Sequence, residues 1–256
     1  MMDTTTDKLL NSRITVQQPA SGYRIAVDTL LLASAVPVQA GQGEKVLELG
    51  CGVGGAMLAL AARVGDVSIT GLELQEPMAA LCASNIALNG FEDRLKVEHG
   101  DVAAPAHEGA GQFDHVMMNP PFHHGKTHSA SANPSKRMAN TESEEADLSV
   151  WLMRAAQALK QGGCMTMIHR ADRQDEIIML ASTSFSTIII KPIWSKKEGG
   201  TCKRIIICAL KGEGKDGTSV TIAQPFILYG NDGLYTSDAN GILRESGGMQ
   251  VKAENR

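Results

Sequence analysis

Four consecutive residues carry groups that could hold a planar amino group. Asn119, Pro120, Pro121 and Phe122 directly follow a short apolar run. Each proline restricts the preceding residue to an extended conformation and lacks an N–H group, so the segment forms a stiff turn with free carbonyls. The Asn119 Oδ1 atom and the Pro120 carbonyl could both accept from an NH2 group, and Phe122 could stack on the attached ring or amide. The pattern indicates an amino-group site; the alternative is a Pro-Pro turn beside a core phenylalanine.

A glycine-rich segment, GCGVGG, lies at residues 50–55 between a predicted strand and a predicted helix. Gly50, Gly52 and Gly55 fit the spacing GxGxxG, and glycines here let the backbone approach a ligand closely at a helix N-terminus. Glu73 ends the next predicted strand, 18 residues beyond Gly55, where a carboxylate can bind ribose hydroxyls. The combination predicts a site for a dinucleotide or for S-adenosylmethionine. A tight turn without a ligand is the alternative.

Glu48 favours S-adenosylmethionine over a dinucleotide. It lies inside the first predicted strand, two residues before the glycines. A carboxylate there would attract a ligand with a sulfonium and an ammonium group, whereas it would repel a pyrophosphate. The alternative is that Glu48 points outward as an ordinary solvated residue.

The elements that must position these residues alternate between strand-like and helix-like patterns from residue 45 to about 210. Such alternation predicts βαβ units, a mostly parallel sheet and ligand sites at the carboxyl ends of the strands. Two β-branched runs, 187–193 and 203–210, predict an antiparallel pair at a sheet edge. The other predicted strands are 45–49, 67–73, 94–98, 113–118 and 164–169, and the predicted helices are 56–64, 76–89, 144–160 and 172–182. The loops expected to form the site are 50–55, 73–76, 99–105 and 119–143.

Composition excludes several classes of protein. The 256 residues carry a net charge of −4, so the surface as a whole does not attract nucleic acid. No stretch has the length of a transmembrane helix, and the first residues lack the apolar core of a signal peptide. Five cysteines without CxxC spacing predict buried free thiols in a reducing compartment rather than disulfides or a zinc site. We therefore expect a soluble cytoplasmic protein.

Three segments together, VLELGCGVGG, GLELQ and NPPF, resemble the class I S-adenosylmethionine-dependent methyltransferases that act on exocyclic or amide nitrogen. The resemblance implies an α/β, Rossmann-like fold with a mostly parallel seven-stranded sheet, an antiparallel edge hairpin and helices on both faces. Residues 18–37 resemble the N-terminal signature of the bacterial family that methylates N6 of adenosine 37 in valine tRNA. Two residues depart from the common pattern, Glu48 in place of Asp and Phe122 in place of Tyr, and neither change removes chemical capacity.

The resemblance also implies a domain division and a cofactor, S-adenosylmethionine. We expect residues 1–40 to pack on the catalytic domain as an extension, 41–211 to form the methyltransferase domain, and 212–256 to form a Gly-rich C-terminal extension. The expected cofactor contacts are Tyr23, Asp28, Glu48, Gly50, Gly52, Gly54, Glu73, Leu74, Asp101, Val102 and Asn119.

The same resemblance implies roles in the reaction. Asn119 and the Pro120 carbonyl would hold an adenine amino group and stabilise the charge that develops on its nitrogen. Phe122 would stack on a base turned out of its stack. Asp101 could accept from the adenine of the cofactor, or it could be a helix cap or loop residue. Tyr23, Arg24 and Asp28 could close over the cofactor or substrate, although Asp28 could also be the N-cap of a helix at 29–35.

The expected partner is tRNA. Residues 191–215 contain seven basic and two acidic residues, which could form a local positive rim to which Lys136 and Arg137 could add. The alternative is a solvated hairpin loop with lysines guarding a sheet edge. His123, His124 and His128 lack partners at metal-ligand spacing, so no metal is expected. The oligomeric state does not follow from the sequence.

Other functions compete with an RNA adenine-N6 methyltransferase. A protein glutamine-N5 methyltransferase acting on release factors would use the same acceptors for an amide NH2 group. Only about 40 residues precede the first predicted strand, too few for the additional recognition domain expected of such an enzyme. A small-molecule methyltransferase, a nicotinamide-dependent oxidoreductase and a non-catalytic S-adenosylmethionine-binding module are further alternatives. The oxidoreductase leaves the NPPF segment unexplained.

Overall fold

The computed structural model describes residues 2–22, 24–104, 110–121, 148–212 and 217–251. The chain opens with an antiparallel hairpin of β1 (Thr4–Leu9) and β2 (Ile14–Pro19), which the sequence did not predict. Helix α1 follows at Val27–Ala35. Its N-cap is Ala26, so the predicted N-cap role of Asp28 is wrong. Asp28 lies in the first turn of α1 and pairs instead with Arg204.

A nine-stranded sheet forms the centre of the described structure. Five parallel strands correspond to the predicted ones: β3 (Lys45–Leu49), β4 (Ser68–Glu73), β5 (Leu95–His99), β6 (Phe113–Met118) and β7 (Leu159–Arg170). β8 (Phe185–Lys196) and β9 (Cys202–Lys211) form the predicted antiparallel hairpin. The last two strands are β10 (Ser219–Ile222) and β11 (Phe226–Tyr229). The strand order is β10-β8-β9-β7-β6-β3-β4-β5, with β11 also paired to β8.

The position of the hairpin at the sheet edge was wrongly predicted. β10 pairs with residues 187–190 of β8 and β11 with residues 193–196, so the C-terminal segment covers the outer side of β8. An uncovered strand of twelve residues would expose a row of unpaired backbone groups. Over the described residues the sheet therefore has nine strands rather than seven. The Rossmann-like class of fold is confirmed.

Helices cover both faces of the sheet, as predicted. One apolar cluster joins the sheet to α1, α2 (Gly55–Arg63), α3 (Glu76–Leu88) and the C-terminal α6 (Ser237–Glu245). A second cluster, on the other face, joins it to α4 (Leu148–Ala158) and α5 (Gln174–Ala181). A 3-10 turn at Ala171–Arg173 precedes α5. The predicted helix over 144–160 ends early, because β7 begins at Leu159; residues 144–147 lie outside the described ranges.

The prediction of buried free thiols is confirmed for four of the five cysteines, and Cys202 is half-buried. All five are free, and four of them are buried. None of the helices in the described part of the chain is long and apolar enough to cross a membrane.

Candidate active site

The loops that follow β3, β4, β5 and β6 leave the sheet on one side, at the carboxyl ends of the strands, because these four strands are parallel. We call this side the carboxyl edge. The register pairs Leu49 of β3 with Met118 of β6. Gly50 and Asn119 are the next residues on these two neighbouring strands, whose backbones lie about 4.8 Å apart in a sheet. The glycine segment and the start of the NPPF segment are therefore brought together, as the sequence predicts.

The glycine loop turns through three left-handed residues. Gly50, Gly52 and Gly54 have φ angles of +67°, +55° and +87°, a conformation that favours glycine because it has no Cβ atom. The N–H groups of Gly50 and Cys51 both donate to the Leu72 carbonyl of β4, at 2.8 and 3.0 Å. The loop is thereby fixed to the neighbouring strand before α2 begins.

These glycines differ in what surrounds them. A Cβ atom on Gly50 would lie 2.7 Å from Trp151 of α4, and one on Gly54 would lie 2.7 Å from the Cys82 sulfur. Both positions are closed by packing. A Cβ atom on Gly52 would meet none of the described residues within 4 Å. Gly52 is therefore the position where the loop backbone faces open space and a ligand could approach.

Glu73 joins the glycine loop to the end of β4. Its Oε2 atom accepts from the Gly52 N–H at 2.8 Å, and its Oε1 atom accepts from the Gln75 N–H at 2.9 Å. A carboxylate offers about four acceptor sites, so each oxygen keeps a lone pair for another donor. Glu73 is buried and lies beside the open face of Gly52, a position suited to a hydroxylated ligand such as a ribose.

Glu48 lies below the loop and is 5% exposed, so the solvated alternative is wrong. Its Oε2 atom accepts from the Met57 N–H at 3.0 Å, in the first turn of α2. Burial, aided by the nearby Cys82 thiol and Glu73 carboxylate, raises the pKa of Glu48 well above its ordinary value. The Glu48 carboxyl therefore holds the start of α2, and its raised pKa weakens the argument that its charge selects a cation. Its contact with a cofactor stays a prediction.

Three further cofactor candidates lie after β4 and β5. The Leu74 side chain is 39% exposed, and its carbonyl accepts from His99 Nε2 at 2.8 Å. The Oδ1 atom of Asp101 accepts from the Ala103 N–H at 2.8 Å. This bond fits the alternative in which Asp101 is a loop residue. Val102 is buried in the second apolar cluster. Contacts of these residues with a cofactor stay predictions.

The catalytic candidates are only partly described. Asn119 is half-buried, Pro120 is buried and Pro121 is exposed. Phe122 lies outside the described residues, as do His123, His124, His128, Lys136 and Arg137. Within the described ranges, no three His, Cys, Asp or Glu side chains are grouped to hold a metal ion.

The segment after β2 packs against the glycine loop. A Cβ atom on Gly55 would lie 2.7 Å from Ile25 Cδ1 and 3.1 Å from Thr29 Cγ2. Asp28 accepts from Arg204 Nε at 2.7 Å, which ties α1 to β9. Arg24, which we expected to close over the cofactor or the substrate, pairs with Asp7 of β1 at 2.7 Å.

Two other candidates of this N-terminal region differ in outcome. Tyr23 lies outside the described residues. Asp28 is already engaged by Arg204, so its contact with a cofactor stays a prediction.

Asn85 of α3 is a residue that the sequence reasoning missed. It is fully buried, and its Nδ2 atom donates to the Val53 carbonyl of the glycine loop at 2.9 Å and to the Gln17 carbonyl at 2.8 Å. Its Oδ1 atom accepts from the Gln17 N–H at 2.7 Å. The available signal was an amide on the apolar face of a predicted helix, three residues after Cys82 and beside Ile86.

Comparisons with known proteins agree with this architecture. Residues 20–191 match the sequence model of the family described as methyltransferase small domain. The tRNA1(Val) (adenine(37)-N6)-methyltransferase of Porphyromonas gingivalis is 30% identical over 190 residues, 70% of this chain and 71% of the relative. Its counterpart in Bacteroides thetaiotaomicron is 27% identical over 202 residues, 76% of this chain and 80% of the relative.

A solved structure shares the fold. The crystal structure of a predicted O-methyltransferase from Agrobacterium tumefaciens has a TM-score of 0.71 and is 24% identical, and the match covers 90% of this chain and all of that one. The family match spans the glycine loop, Glu73 and Asn119, the residues that meet at the carboxyl edge of the sheet. The chain therefore belongs to the methyltransferase small domain family.

Proposed function

We propose that this protein transfers a methyl group from S-adenosylmethionine to the N6 amino group of adenine in tRNA, at adenosine 37 of valine tRNA. The observation that carries the proposal is the pairing of Leu49 with Met118, because Gly50 and Asn119 then follow on adjacent strands. A methyl donor and a planar amino group would meet at one sheet edge. The tRNA substrate is supported by the names of the relatives from Porphyromonas and Bacteroides.

The residues around Gly52 fit the proposed methyl donor. S-adenosylmethionine supplies an electrophilic methyl group on a positively charged sulfur. Gly52 leaves open space above the loop, and Glu73 beside it keeps acceptor capacity for ribose hydroxyls. The exposed Leu74 side chain offers an apolar surface for the adenine ring of the cofactor. Asp101 could accept from the amino group of that ring through its second carboxylate oxygen.

The chain itself contributes orientation and electrostatic stabilisation. An adenine N6 atom is conjugated with its ring and is a weak nucleophile, so its lone pair must be turned toward the methyl group. Asn119 Oδ1 and the Pro120 carbonyl would accept from the two N6 hydrogens. These acceptors would stabilise the positive charge that develops on nitrogen as its bond to the methyl group forms and the methyl–sulfur bond breaks. S-adenosylhomocysteine would be the leaving group, and the extra proton on nitrogen would pass to solvent. Phe122 would stack on the target base after the base leaves its stack.

The proposed function is tested by methyl transfer from labelled S-adenosylmethionine into unmodified total tRNA, with release factor protein offered in parallel. We expect label in N6-methyladenosine on nucleoside analysis, and separation of the tRNAs should locate it in valine tRNA. Label only in the protein would mean that the substrate is a glutamine side chain, whose amide NH2 group fits the same two acceptors. No label in either substrate, with the cofactor bound, would refute the proposed substrate class.

The role of Asn119 gives a first prediction. Asn119→Ala removes one of the two acceptors that act as charge develops, so we expect kcat to fall about 100- to 1,000-fold. The affinity for S-adenosylmethionine should fall far less than kcat, because the role assigned to the Asn119 Oδ1 atom is to accept from the amino group of the substrate. Steady-state kinetics and calorimetric titration of the cofactor measure the two quantities. Equal losses in turnover and cofactor affinity would contradict the assigned role.

A further inference from the structure

The tip of the β8–β9 hairpin lies at the same edge of the sheet as the candidate active site. β9 is antiparallel to both β7 and β8, so β8 runs in the same direction as β7 and ends at the carboxyl edge. Only β7 and β9 separate β6 from β8 in the sheet. Three strand spacings correspond to about 14 Å across the sheet. The register places Ile190 of β8 level with Met118, so Lys196 lies six residues, about 20 Å, further along the strand direction. A substrate held at Asn119 could therefore extend over the hairpin tip.

The hairpin tip carries lysines that are not paired with carboxylates in the described part of the chain. Lys196, Lys197 and Lys203 are exposed around the turn, together with one acidic residue, Glu198. Among the described residues, none of the ion pairs includes these three lysines. The nearby Arg204 is instead paired with Asp28. Three lysines against one carboxylate form a local cationic patch on a chain with a net charge of −4.

Aromatic residues lie on the same face of the sheet as one of these lysines, Lys196. Trp194 pairs with Ile227, and Lys196 pairs with Tyr229, in the parallel register of β8 and β11. Paired residues and residues two apart share one face of a sheet, so Trp194, Lys196 and Tyr229 lie on one face. Their neighbours Ile193 and Phe226 point to the opposite face and are buried.

The aromatic surface remains accessible. Trp194 and Tyr229 are half-buried. The Tyr229 ring stacks on Tyr235, with centroids 4.9 Å apart and planes inclined by 17°. We name Trp194, Lys196, Lys197, Lys203, Tyr229 and Tyr235 the lysine–aromatic platform.

We propose that the lysine–aromatic platform binds the RNA strand that flanks the methylated adenosine. The lysines contact its phosphates, and Trp194 and the tyrosine pair contact unpaired bases. Lysine binds phosphate as a point charge, and aromatic side chains stack on bases of any identity because every base has a π-face. A single-stranded loop offers both groups together, because its bases are free to unstack. The inference rests on the proposed function and adds where the RNA lies.

The platform also gives the C-terminal extension a role in substrate binding. Tyr229 belongs to β11, and Tyr235 forms a bridge with it just before α6. The hairpin alone would supply the lysines and Trp194. The extension adds the tyrosine pair beside Lys196 and supports β8 from its outer side.

Charge removal is the first test. The double variant Lys196→Gln/Lys197→Gln is compared with Lys8→Gln/Lys45→Gln, which removes two exposed lysines far from the site. Lys45 is the first residue of β3, so it lies at the end of the sheet opposite the site. Lys8 pairs with Thr15 of β2, and the Thr15 carbonyl accepts from Asn89 at the C-terminal end of α3, which is also far from the site. Binding of unmodified tRNA without a methyl donor is measured by anisotropy from about 50 to 200 mM salt. We expect the slope of the logarithm of the association constant against log salt to become less steep by about 1–2 in the platform variant but not in the control. Each lost phosphate contact reduces the magnitude of this slope by about 0.7–0.9.

Aromatic stacking is tested with Trp194→Leu and the conservative Trp194→Phe. We expect about tenfold weaker tRNA binding for Trp194→Leu, with most of the affinity restored by Trp194→Phe. Cofactor affinity should stay unchanged in both variants, and a shared melting temperature would establish that both are folded. In turnover, the platform variants should raise KM for tRNA and leave kcat within about twofold.

Separate outcomes distinguish this inference from the proposed function. Methylation of tRNA by the unchanged protein, together with equal RNA affinity of the platform and control lysine variants, would overturn the platform and leave the function standing. Equal RNA affinity of Trp194→Leu and the unchanged protein would overturn the stacking part. Methyl transfer only to release factor, with no salt-dependent RNA binding, would overturn both.

Discussion

Gly52 shows how a single residue of the loop can be assigned to ligand approach. The three left-handed glycines share a backbone conformation, yet only Gly52 among them faces open space. Gly50 and Gly54 are fixed by contacts with Trp151 and Cys82, so their lack of a Cβ atom already has a packing reason. The open face of Gly52 has no such reason within the described structure.

A matched pair of substitutions tests this assignment. Gly52→Ala and Gly43→Ala place a Cβ atom in open space at φ angles of +55° and +60°. Each should lose about 1–2 kcal/mol of stability from left-handed strain. Only Gly52→Ala should weaken binding of S-adenosylmethionine, by about tenfold or more, because the alanine side chain occupies the space through which the ligand approaches the loop. Calorimetric titration and chemical denaturation measure both effects, and similar cofactor affinity in the two variants would argue against the assignment.

Glu48 predicts a pH dependence of stability. The folded protein keeps the Glu48 proton where the unfolded chain has lost it, because burial raises the pKa of this carboxyl well above its ordinary 4.5. The unfolded state then binds fewer protons, so this group lowers the free energy of unfolding as pH rises from about 4.5 through the folded pKa.

Glu48→Gln should remove that dependence. The amide oxygen can still accept from the Met57 N–H, but it does not titrate. We expect the free energy of unfolding of Glu48→Gln minus that of the unchanged protein to grow as pH rises above about 4.5, up to the folded pKa of Glu48. Urea denaturation without cofactor measures the difference, with Glu92→Gln, an exposed residue, as the control. A difference that is constant with pH would contradict the raised pKa.

At the scale of elements, α3 holds the N-terminal hairpin with two amides one turn apart. Asn89 accepts from the Thr15 backbone N–H at 2.9 Å and donates to the Thr15 carbonyl at 2.8 Å. Asn85 makes the same two bonds with the backbone of Gln17. These bonds pair one side of β2 with side chains rather than with another strand. Asn85 alone reaches further, to the Val53 carbonyl in the glycine loop.

This difference gives a prediction for the two amides. Asn85→Ala and Asn89→Ala should each lower the free energy of unfolding by about 1–3 kcal/mol, because each leaves backbone groups of β2 without their partners. Only Asn85→Ala should also weaken S-adenosylmethionine binding, since it frees the Val53 carbonyl beside Gly52. Denaturation and cofactor titration separate the two effects. Equal cofactor affinity in both variants would restrict Asn85 to a structural role.

At the scale of the whole molecule, the C-terminal segment is part of the central sheet, because β10 and β11 both pair with β8. Phe226 of β11 is 8% exposed and belongs to the first apolar cluster, together with Ile242 and Leu243 of α6. α6 packs in turn near α1. The division at residues 40 and 211 stays a prediction, because both extensions share a core with the central strands.

Two substitutions in this segment test its part in the fold. Phe226→Ala should lower the free energy of unfolding by about 3–5 kcal/mol, because it empties a buried aromatic site. Ile222→Ala on β10, where the side chain is 61% exposed, should change it by less than about 0.5 kcal/mol. A single cooperative denaturation transition would show that the segment unfolds with the sheet. Small effects for both variants would mean that the extension contributes little to stability.

The sequence by itself determined the alternating strands and helices of the central sheet, the glycine loop and the edge at which the site lies. These features follow from local apolar periodicity and from glycine and proline, whose conformational effects do not depend on distant residues. The short strands β10 and β11 were missed because four residues carry little periodic signal. Their strand character comes from pairing with the exposed side of β8.

Only the tertiary structure decided which side chains meet. Glu48 is buried against α2, Asp28 pairs with Arg204, 176 residues away, and Asn85 bonds Val53 and Gln17. The register that sets Gly50 beside Asn119 is likewise a long-range property. A polar side chain has the same local pattern whether it contacts a ligand, caps a helix or joins two elements. The packing of the whole chain selects among these, because it fixes which donors, acceptors and charges come within contact distance.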